Sequence, residues 1–381
     1  MKTGSGRVVK RSFGFEMQSV RPVEYSVRNV LRPVFDLTEP TLREVIAKRP
    51  LVVVIDNNVK RICGLELERY VAQNQLDLLG MIDFSGSEAD KTPVEKLRIQ
   101  RRLSALKLPR NGLVVSCGGG VTADVAGAVA AEAYRGVPYC RIPTTLIGIV
   151  DVAVGIKQAV NLGGSKNWLG SFYPAESNIC DPTFLRTLDR SALAGGLAEI
   201  IKMGLIRDPR LFQLVEAFGA QLIESRFQEP IRVSRQVIER AQFAMMKELA
   251  PNLYEYDRRR TVDLGHTFSQ IIEACSGYTI PHGQAVGIDI LYSTRIAVRR
   301  GLCHFGVLDR LSKIYASVGL PCDQYVCDAR ELMRAVSAAR RHRGSLNLVV
   351  PLGVGRVDWL QDVLCDELAE AVDFFRHPRA A

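Results

Sequence analysis

Three side chains in the C-terminal half of the chain have the chemical types that hold a divalent metal ion: Glu199, His266 and His282. Glu199 occurs in an otherwise apolar helical pattern, His266 follows a glycine at a predicted helix entrance, and His282 begins the next predicted helix. One carboxylate and two imidazoles leave open positions on a bound ion, as in catalytic zinc sites. Their long spacing is also compatible with polar core histidines that cap helices, so both interpretations stay open.

The lysines of the sequence indicate an anionic ligand. Lys157, Lys166, Lys202 and Lys247 together exceed the number of ammonium groups that a dry interior tolerates without anions. Lys202 lies three residues after Glu199, on the same face of a predicted helix. This pair is either a structural ion pair or a metal ligand beside a group that handles phosphate or a proton.

A run of glycines follows the apolar segment 113–115 and precedes small residues typical of a closely packed helix. Glycines at a strand-to-helix turn let the backbone approach a diphosphate, which the helix N-terminus attracts. Gly118, Gly120 and Ala123 fit the loose dinucleotide-binding template. An ordinary glycine turn in an α/β domain has the same pattern.

The elements that must position these residues change in type near residue 185. Before it, apolar runs at 51–55, 80–84, 113–115 and 139–142 alternate with helical patterns, which predicts parallel β-α-β units. An alternating pattern from Tyr25 predicts an edge or hairpin strand. Behind residue 185 the pattern predicts helices at 191–207, 209–225, 229–249, 267–276, 283–301 and 305–317.

The predicted fold class is therefore α/β, with three parts. Residues 1–24 are expected to be a flexible extension, 25–185 a Rossmann-like dinucleotide-binding domain, and 186–381 a mostly α-helical metal- and substrate-binding domain. Asp56 ends the strand pattern at 51–55, where its carboxylate could hold a ribose hydroxyl or cap the next helix. The segment 163–167 is expected to be a turn or loop that presents Lys166.

Composition narrows the function classes for this chain of 381 residues. The net charge is +9, with basic clusters at 96–102, 258–260 and 340–343, yet aromatic residues are only 7% and no nucleic-acid module is recognisable. The clusters fit solvated helix faces or attraction of a phosphorylated small substrate, and no nucleic-acid partner is expected. No apolar run is long enough to cross a bilayer. Nine scattered cysteines without a Cys-x-x-Cys pair favour reduced thiols in a cytoplasmic protein.

Assembled in order, these motifs resemble the sugar phosphate cyclase superfamily, which includes 3-dehydroquinate synthase. The resemblance covers nearly everything after about residue 25. The matching segments are Gly118-Gly-Gly-Val-Thr-Ala-Asp124, Tyr134-Arg135-Gly136, Pro143-Thr-Thr145, Val150-Asp151 to Lys157, Lys166-Asn167-x-x-Gly170, Leu197-Ala-Glu199-Ile-Ile-Lys202, Gly265-His266-Thr267 and His282-Gly283-x-Ala285-Val286.

The resemblance implies a complete site. Glu199, His266 and His282 would hold zinc or cobalt. NAD would be held by Asp56, Asn58, Glu88, Lys91, Gly119, Gly120, Val121, Asp124, Thr144, Thr145, Asp151, Lys166 and Thr187. The substrate would be surrounded by Asp151, Lys157, Asn161, Lys166, Asn167, Lys202, Lys247, Arg259 and Asp263. Arg135 would reach the substrate phosphate across a homodimer interface.

In this family a sugar phosphate is oxidised transiently by bound NAD, loses phosphate by β-elimination, is reduced again and closes by an intramolecular aldol step. The resemblance therefore implies a carbon–oxygen lyase that recycles its NAD. A metal-dependent polyol dehydrogenase on the same architecture is the alternative from another enzyme class.

Several positions depart from the dehydroquinate synthase pattern. Asp263 stands where asparagine is usual, Gln270 replaces a second histidine, and Gln158-Ala159 replace Thr-Gly. These changes fall where the carboxylate of a dehydroquinate precursor would be recognised. Asp263, Pro251-Asn252 and the pair His342-Arg343 resemble cyclases of sedoheptulose 7-phosphate. Gln158-Ala159 and Gln270 depart from the Thr-Gly and Pro that are common in those forming 2-epi-5-epi-valiolone, which leaves the alternative products open. The expected product is 2-epi-5-epi-valiolone, with 2-epi-valiolone, desmethyl-4-deoxygadusol and then 3-dehydroquinate as alternatives.

Overall fold

A computed structural model describes residues 5–11, 14–20, 22–321 and 327–376. The strands are β1 (Ser5–Arg11), β2 (Gly14–Val20), β3 (Ser26–Asn29), β4 (Leu51–Asp56), β5 (Leu78–Phe84), β6 (Leu113–Gly118), β7 (Tyr139–Pro143), β8 (Lys157–Leu162), β9 (Ser165–Phe172), β10 (Ser177–Cys180), β11 (Leu348–Gly353) and β12 (Arg356–Leu360). The helices are α1 (Thr41–Ile46), α2 (Asn57–Gln73), α3 (Pro93–Ala105), α4 (Gly120–Glu132), α5 (Arg190–Ile206), α6 (Pro209–Glu224), α7 (Ile231–Leu249), α8 (Ser269–Cys275), α9 (His282–Arg299), α10 (Phe305–Val318), α11 (Ala329–Arg343) and α12 (Cys365–Arg376).

Six parallel strands form the N-terminal sheet, in the order β3-β10-β7-β6-β4-β5. Every residue of β4 and β6 is buried, because apolar clusters cover both faces of the sheet. The predicted parallel sheet is confirmed, and the strand predicted from Tyr25 is its edge strand β3. Strand β10 was not predicted, since Ser177-Asn-Ile-Cys180 is short and half polar.

The helical half is built around α5. All residues of this helix from Leu193 to Ile206 are buried, which its nearly continuous apolar sequence requires. The predicted helices correspond closely to α5 through α10, whereas α11, α12 and the hairpin β11–β12 were not predicted. The same apolar core includes Leu146, Ile149 and Val150, so it anchors the segment that carries Asp151.

Two segments differ from their predicted structure. The stretch 163–167 is not a loop throughout: Gly163 and Gly164 alone form the turn, with φ of 56° and 79°, between the antiparallel strands β8 and β9. Two-residue turns with positive φ match the twist of a hairpin, so Lys166 and Asn167 lie on β9. The predicted extension over 1–24 contains β1 and β2, which pair antiparallel, and their β-branched and aromatic residues favour strands.

None of the helices in the described ranges combines the length and apolar character that crossing a bilayer requires.

The close approach of α5 and α9 brings two of the predicted metal ligands together. A Cβ on Gly283 would lie 2.5 Å from the carbonyl oxygen of Gly195, so only glycine fits there. Gly195 lies one helical turn before Glu199, and Gly283 directly follows His282. The small residues therefore set how near these ligands approach.

Gly283→Ala should lower the free energy of unfolding in urea by about 1–3 kcal/mol, because the added methyl forces the helices apart. Gly287→Ala on the same helix is the matched control, since its Cβ would have no neighbour nearer than 3.4 Å. Equal stability of the two variants would show that this crossing is not tightly packed.

Candidate active site

The predicted metal ligands converge. One ligand atom from each of Glu199, His266 and His282 lies within 4.8 Å of the other two. Glu199 projects from the buried helix α5, and His282 begins α9. His266 follows Gly265, whose φ of 80° and contact with Val286 turn the chain toward the cluster. Residues distant in sequence thus form one candidate metal site.

The environment of His266 favours a neutral imidazole that can coordinate a metal. Burial, followed by the positive charge of Lys202 and of His282, lowers the pKa of His266 well below its ordinary value. Nδ1 lies 3.1 Å from the carbonyl oxygen of Leu264, which assigns the proton to that nitrogen. The Nε2 atom lies 3.6 Å from Glu199 Oε1. The lone pair of His266 Nε2 and the oxygen of Glu199 are both acceptors, and a cation between them would bind to both.

The carboxylate of Glu199 provides the test of whether a metal fits. It is 1% exposed, and among the described residues neither of its oxygens accepts a hydrogen bond. Lys202 Nζ lies 2.5 Å from Oε2, an ion pair whose angle is poor for hydrogen bonding. Buried acceptors without donors are costly. A divalent ion between this carboxylate and the imidazoles would satisfy them, so the residues present fit zinc.

Glu273 on α8, which the sequence reasoning missed, orients this site. Its Oε1 accepts a hydrogen bond of 2.9 Å from His282 Nδ1, and its Oε2 lies 2.5 Å from Lys166 Nζ. Burial disfavours both charges, but the hydrogen bond and mutual attraction raise the pKa of His282 and lower the pKa of Glu273. The bond leaves His282 Nε2 with the lone pair that a metal needs. In the sequence, Glu273 is marked only as a carboxylate within an apolar helical segment.

Asp289 on α9 holds the backbone that follows His266. Its Oδ2 accepts hydrogen bonds from the N–H groups of Thr267, Phe268 and Ser269 at 2.8, 2.5 and 3.0 Å. The carboxyl group is fully buried, and this burial raises its pKa to about 6 despite those donors. Asp289 is therefore a positioning residue, and it was not predicted.

The glycine turn between β6 and α4 has the features of an anion site. Gly119 precedes α4, and within the described part of the chain no side chain caps the first N–H groups of this helix. A Cβ on Gly119 would lie 3.2 Å from the Thr145 side chain, and the N–H of Thr144 donates to the Gly118 carbonyl at 3.0 Å. The predicted residues Gly119, Gly120, Val121, Thr144 and Thr145 are thus neighbours along one strand-to-helix edge.

Asp56 caps α2. Its Oδ1 accepts hydrogen bonds from the N–H groups of Asn58 and Val59 at 2.7 and 3.3 Å. Its Oδ2 points at Gly86, where a Cβ would lie 1.7 Å from it. The sequence left open whether this carboxylate holds a ribose hydroxyl or caps the next helix. The structure has the helix cap, which uses Oδ1 only.

Five more predicted residues form one hydrogen-bonded network beside the glycine turn between β6 and α4. Lys91 Nζ lies 2.6 Å from Asp124 Oδ2 and donates to Asn167 Oδ1 at 2.6 Å. Asn161 donates to Glu88 Oε1 at 2.8 Å and accepts the backbone N–H of Asn167 at 2.8 Å. The hairpin β8–β9 is therefore tied to the glycine-rich domain by the residues predicted to bind cofactor and substrate.

A second chain of charges includes the predicted residues Lys157 and Asp263, but not the predicted Arg259. Lys157 Nζ lies 2.9 Å from Glu255 Oε1, Glu255 also pairs with Arg260, and Arg260 Nε donates to Asp263 Oδ1 at 3.1 Å. The predicted Arg259 instead is 65% exposed and pairs with Asp257 at 3.8 Å. Within the run of three arginines, sequence alone did not distinguish which one turns inward. Glu255 was also missed.

Arg141, another residue that was not predicted, fixes the segment between Asp151 and Lys157. It is fully buried and donates to two backbone carbonyls within 152–155 at 2.6 and 2.8 Å. It also donates to Gln158 Oε1 at 3.2 Å. Gln158 therefore packs as a partner of this arginine.

The remaining predicted residues are not joined to these networks by the contacts observed in the described ranges. Lys247 is exposed, 5.3 Å above the Phe243 ring. Arg135 is exposed, with φ of 65°. Thr187 donates to the Phe184 carbonyl at 2.8 Å, Asn58 Oδ1 accepts from Arg61 at 3.0 Å, and Asp151 is half-buried on the helical turn at 148–152. The side chains of His342 and Arg343 lie outside the described residues.

Asp289→Asn should change how stability depends on pH. Because folding raises the pKa of Asp289 from 3.8 to about 6, the folded state binds the proton more tightly. The measured quantity is the unfolding free energy of the wild type minus that of Asp289→Asn, a variant that keeps an acceptor oxygen. This difference should fall by about 2 kcal/mol as pH rises from about 4 to about 6. Urea unfolding of metal-free protein measures this difference. A difference independent of pH would show that Asp289 titrates normally.

Profiles of known families match most of the chain. The profile described as 3-dehydroquinate synthase N-terminal matches residues 81–195, and the one described as 3-dehydroquinate synthase C-terminal matches residues 196–341. A 2-epi-5-epi-valiolone synthase from Streptomyces albus is 37% identical, over 97% of this chain and 92% of that protein. A demethyl-4-deoxygadusol synthase from Trichormus variabilis is 30% identical, over 94% of this chain and 89% of the relative.

A solved structure agrees with these relatives. ValA, a 2-epi-5-epi-valiolone synthase from Streptomyces hygroscopicus subsp. jinggangensis with NAD⁺ and Zn²⁺ bound, superimposes with a TM-score of 0.90 at 34% identity. The match covers 95% of this chain and 99% of ValA. With the sheet, the helical half and the convergent Glu199, His266 and His282, these matches show that the chain belongs to the 3-dehydroquinate synthase family of sugar phosphate cyclases.

Proposed function

We propose that the chain cyclises sedoheptulose 7-phosphate to 2-epi-5-epi-valiolone with release of phosphate, using NAD and zinc. The observation that carries this proposal is the 37% identity to a 2-epi-5-epi-valiolone synthase over nearly the full length of both chains. The reaction makes the enzyme a carbon–oxygen lyase. Its partners would be a small sugar phosphate and a second copy of the chain, whose Arg135 would reach the substrate phosphate.

The residues of the site suit these cofactors. Zinc would be held by Glu199, His266 and His282, which supply one carboxylate and two imidazoles. NAD would lie along the glycine turn, with its diphosphate at the N-terminus of α4 and the predicted binding residues around it. When bound, zinc would act as a Lewis acid on substrate oxygens and NAD would accept and return a hydride.

The chain's own residues would handle protons and phosphate. Lys202 is 2% exposed and its Nζ lies beside Glu199, so this amine would exchange a proton with a substrate oxygen at the metal site. Lys166 lies on β9 and shares Glu273 with His282, which places a positive charge next to the same cluster. Such lysines stabilise phosphate and enolate charge in a site that excludes water.

Asp263 supports a substrate without a carboxylate. Its side chain is 9% exposed and pairs with Arg260, which is in turn paired with Glu255. An aspartate in this position repels a substrate carboxylate, whereas its oxygens accept hydrogen bonds from sugar hydroxyls. The charge of Arg260 is shared between two carboxylates, so it is less available for an acidic substrate. Sedoheptulose 7-phosphate has hydroxyl groups and no carboxylate, so it suits this position better than the precursor of 3-dehydroquinate, which carries a carboxylate.

The direct test is an incubation of the zinc-loaded protein with sedoheptulose 7-phosphate and NAD⁺. Phosphate release without net formation of NADH, and a product whose NMR spectrum is that of 2-epi-5-epi-valiolone, would support the proposal. A product that is 2-epi-valiolone or desmethyl-4-deoxygadusol would replace the proposed cyclisation. Turnover of 3-deoxy-arabino-heptulosonate 7-phosphate instead, or steady NADH formation from a simple polyol, would reject the proposed substrate.

Lys202→Met should lower kcat by about 10²–10⁴-fold, because it removes the proton-transferring amine while keeping the length of the side chain. Zinc content should stay near that of the wild type, since the metal ligands are retained. Lys313→Met is the control, because that lysine is 75% exposed on α10. A kcat within about twofold of the wild type would remove Lys202 from the proton-transfer role.

A further inference from the structure

A second group of metal-ligand side chains lies outside the candidate active site. Cys275, Cys327 and Glu331 each offer a ligand atom within 4.8 Å of the other two. Cys275 is the last residue of α8, Cys327 directly precedes the residue that caps α11, and Glu331 lies in the first turn of α11. The group therefore connects the end of one helix with the start of another.

The local structure holds these donors in place. The N–H of Asp328 donates to Glu331 Oε2 at 2.9 Å, and the N–H of Glu331 donates to Asp328 Oδ1 at 2.8 Å, which fixes the carboxylate reciprocally. Cys327 is fully buried, and its Sγ lies 3.7 Å from the Ile271 carbonyl. Cys275 and Glu331 are half-buried, so an ion could enter from solvent.

Two thiolates and one carboxylate are a donor set that suits a thiophilic divalent ion. Zinc bonds of about 2.3 Å to sulfur and about 2.0–2.2 Å to carboxylate oxygen place tetrahedral ligands roughly 3.5 Å apart. Donors within 4.8 Å of one another reach that spacing by small side-chain rotations. We propose that Cys275, Cys327 and Glu331 bind a second divalent cation of the zinc class, with water completing the coordination.

The surrounding charge favours a cation. A carboxylate oxygen of Glu331 lies within 4.8 Å of both thiols, and Asp328, which caps α11, directly follows Cys327. A divalent ion displaces both thiol protons and gains from the nearby carboxylates. Binding thus releases two protons and requires no oxidant.

The second ion would fix the helix that supports the candidate active site. Cys275 lies two residues after Glu273, which binds His282 and Lys166. A metal link from the end of α8 to α11 restrains this short helix at the terminus farthest from His266. The role is structural, and it does not depend on which substrate the enzyme uses.

Metal stoichiometry and spectroscopy test the proposal on the full-length protein. Metal-free protein is titrated with Co²⁺, and the bound metal per chain is measured after dialysis. Wild type and Cys303→Ser, a buried cysteine outside the group, should bind two ions. Cys275→Ser and Cys327→Ser should each bind one, and His266→Ala should also bind one.

The near-ultraviolet thiolate-to-cobalt absorption distinguishes the two sites. It should be present in wild type, Cys303→Ser and His266→Ala, and absent in Cys275→Ser and Cys327→Ser, because the first site contains no sulfur. Glu331→Gln, which keeps the size of the side chain, should raise the dissociation constant of the second ion at least tenfold. One ion in wild type without this absorption, or unchanged binding in both cysteine variants, would overturn the proposal.

Discussion

A buried carboxylate with unsatisfied oxygens is the constraint on which the rest of the candidate site depends. Glu199 lies in the interior of α5, and among the described residues neither of its oxygens accepts a well-aligned hydrogen bond. Carrying such a group in a core is expensive unless a cation is nearby. Lys202 supplies one positive charge at 2.5 Å, and the two imidazoles supply lone pairs that a divalent metal would join to the carboxylate.

Glycines and buried polar contacts restrict the backbone next to Glu199, His266 and His282. Glycine at 195 and 283 lets α5 and α9 pack backbone against backbone, and Gly265 turns His266 inward. Outside the ligands, Glu273 and Asp289 use buried carboxylates to fix an imidazole and a length of backbone. Such outer contacts orient metal ligands and set their proton positions. Arg141 also acts by fixing backbone, since it donates hydrogen bonds to carbonyls in the segment between Asp151 and Lys157.

Much of this could be predicted from the sequence, because local patterns carry it. Apolar runs predicted the parallel strands, glycine runs predicted the anion turn, and motif order predicted Glu199, His266 and His282 as one cluster. The residues that were missed act through contacts between distant segments. Glu255 and Arg260 look no different from neighbouring charged residues until the loop folds. Arg259 lies outside their charge network, and its expected contact with substrate stays a prediction. Lys166 was predicted in a loop because the two-residue turn at Gly163 and Gly164 leaves few residues to signal a hairpin.

Anomalous diffraction at the zinc absorption edge, from crystals of the protein grown with zinc, tests the central claim most directly. We expect a peak within bonding distance of a Glu199 carboxylate oxygen, His266 Nε2 and His282 Nε2, with Lys202 beside it. A structure in which the Glu199 carboxylate is satisfied by protein hydrogen bonds, and no peak lies between it and the two imidazoles, would contradict the account.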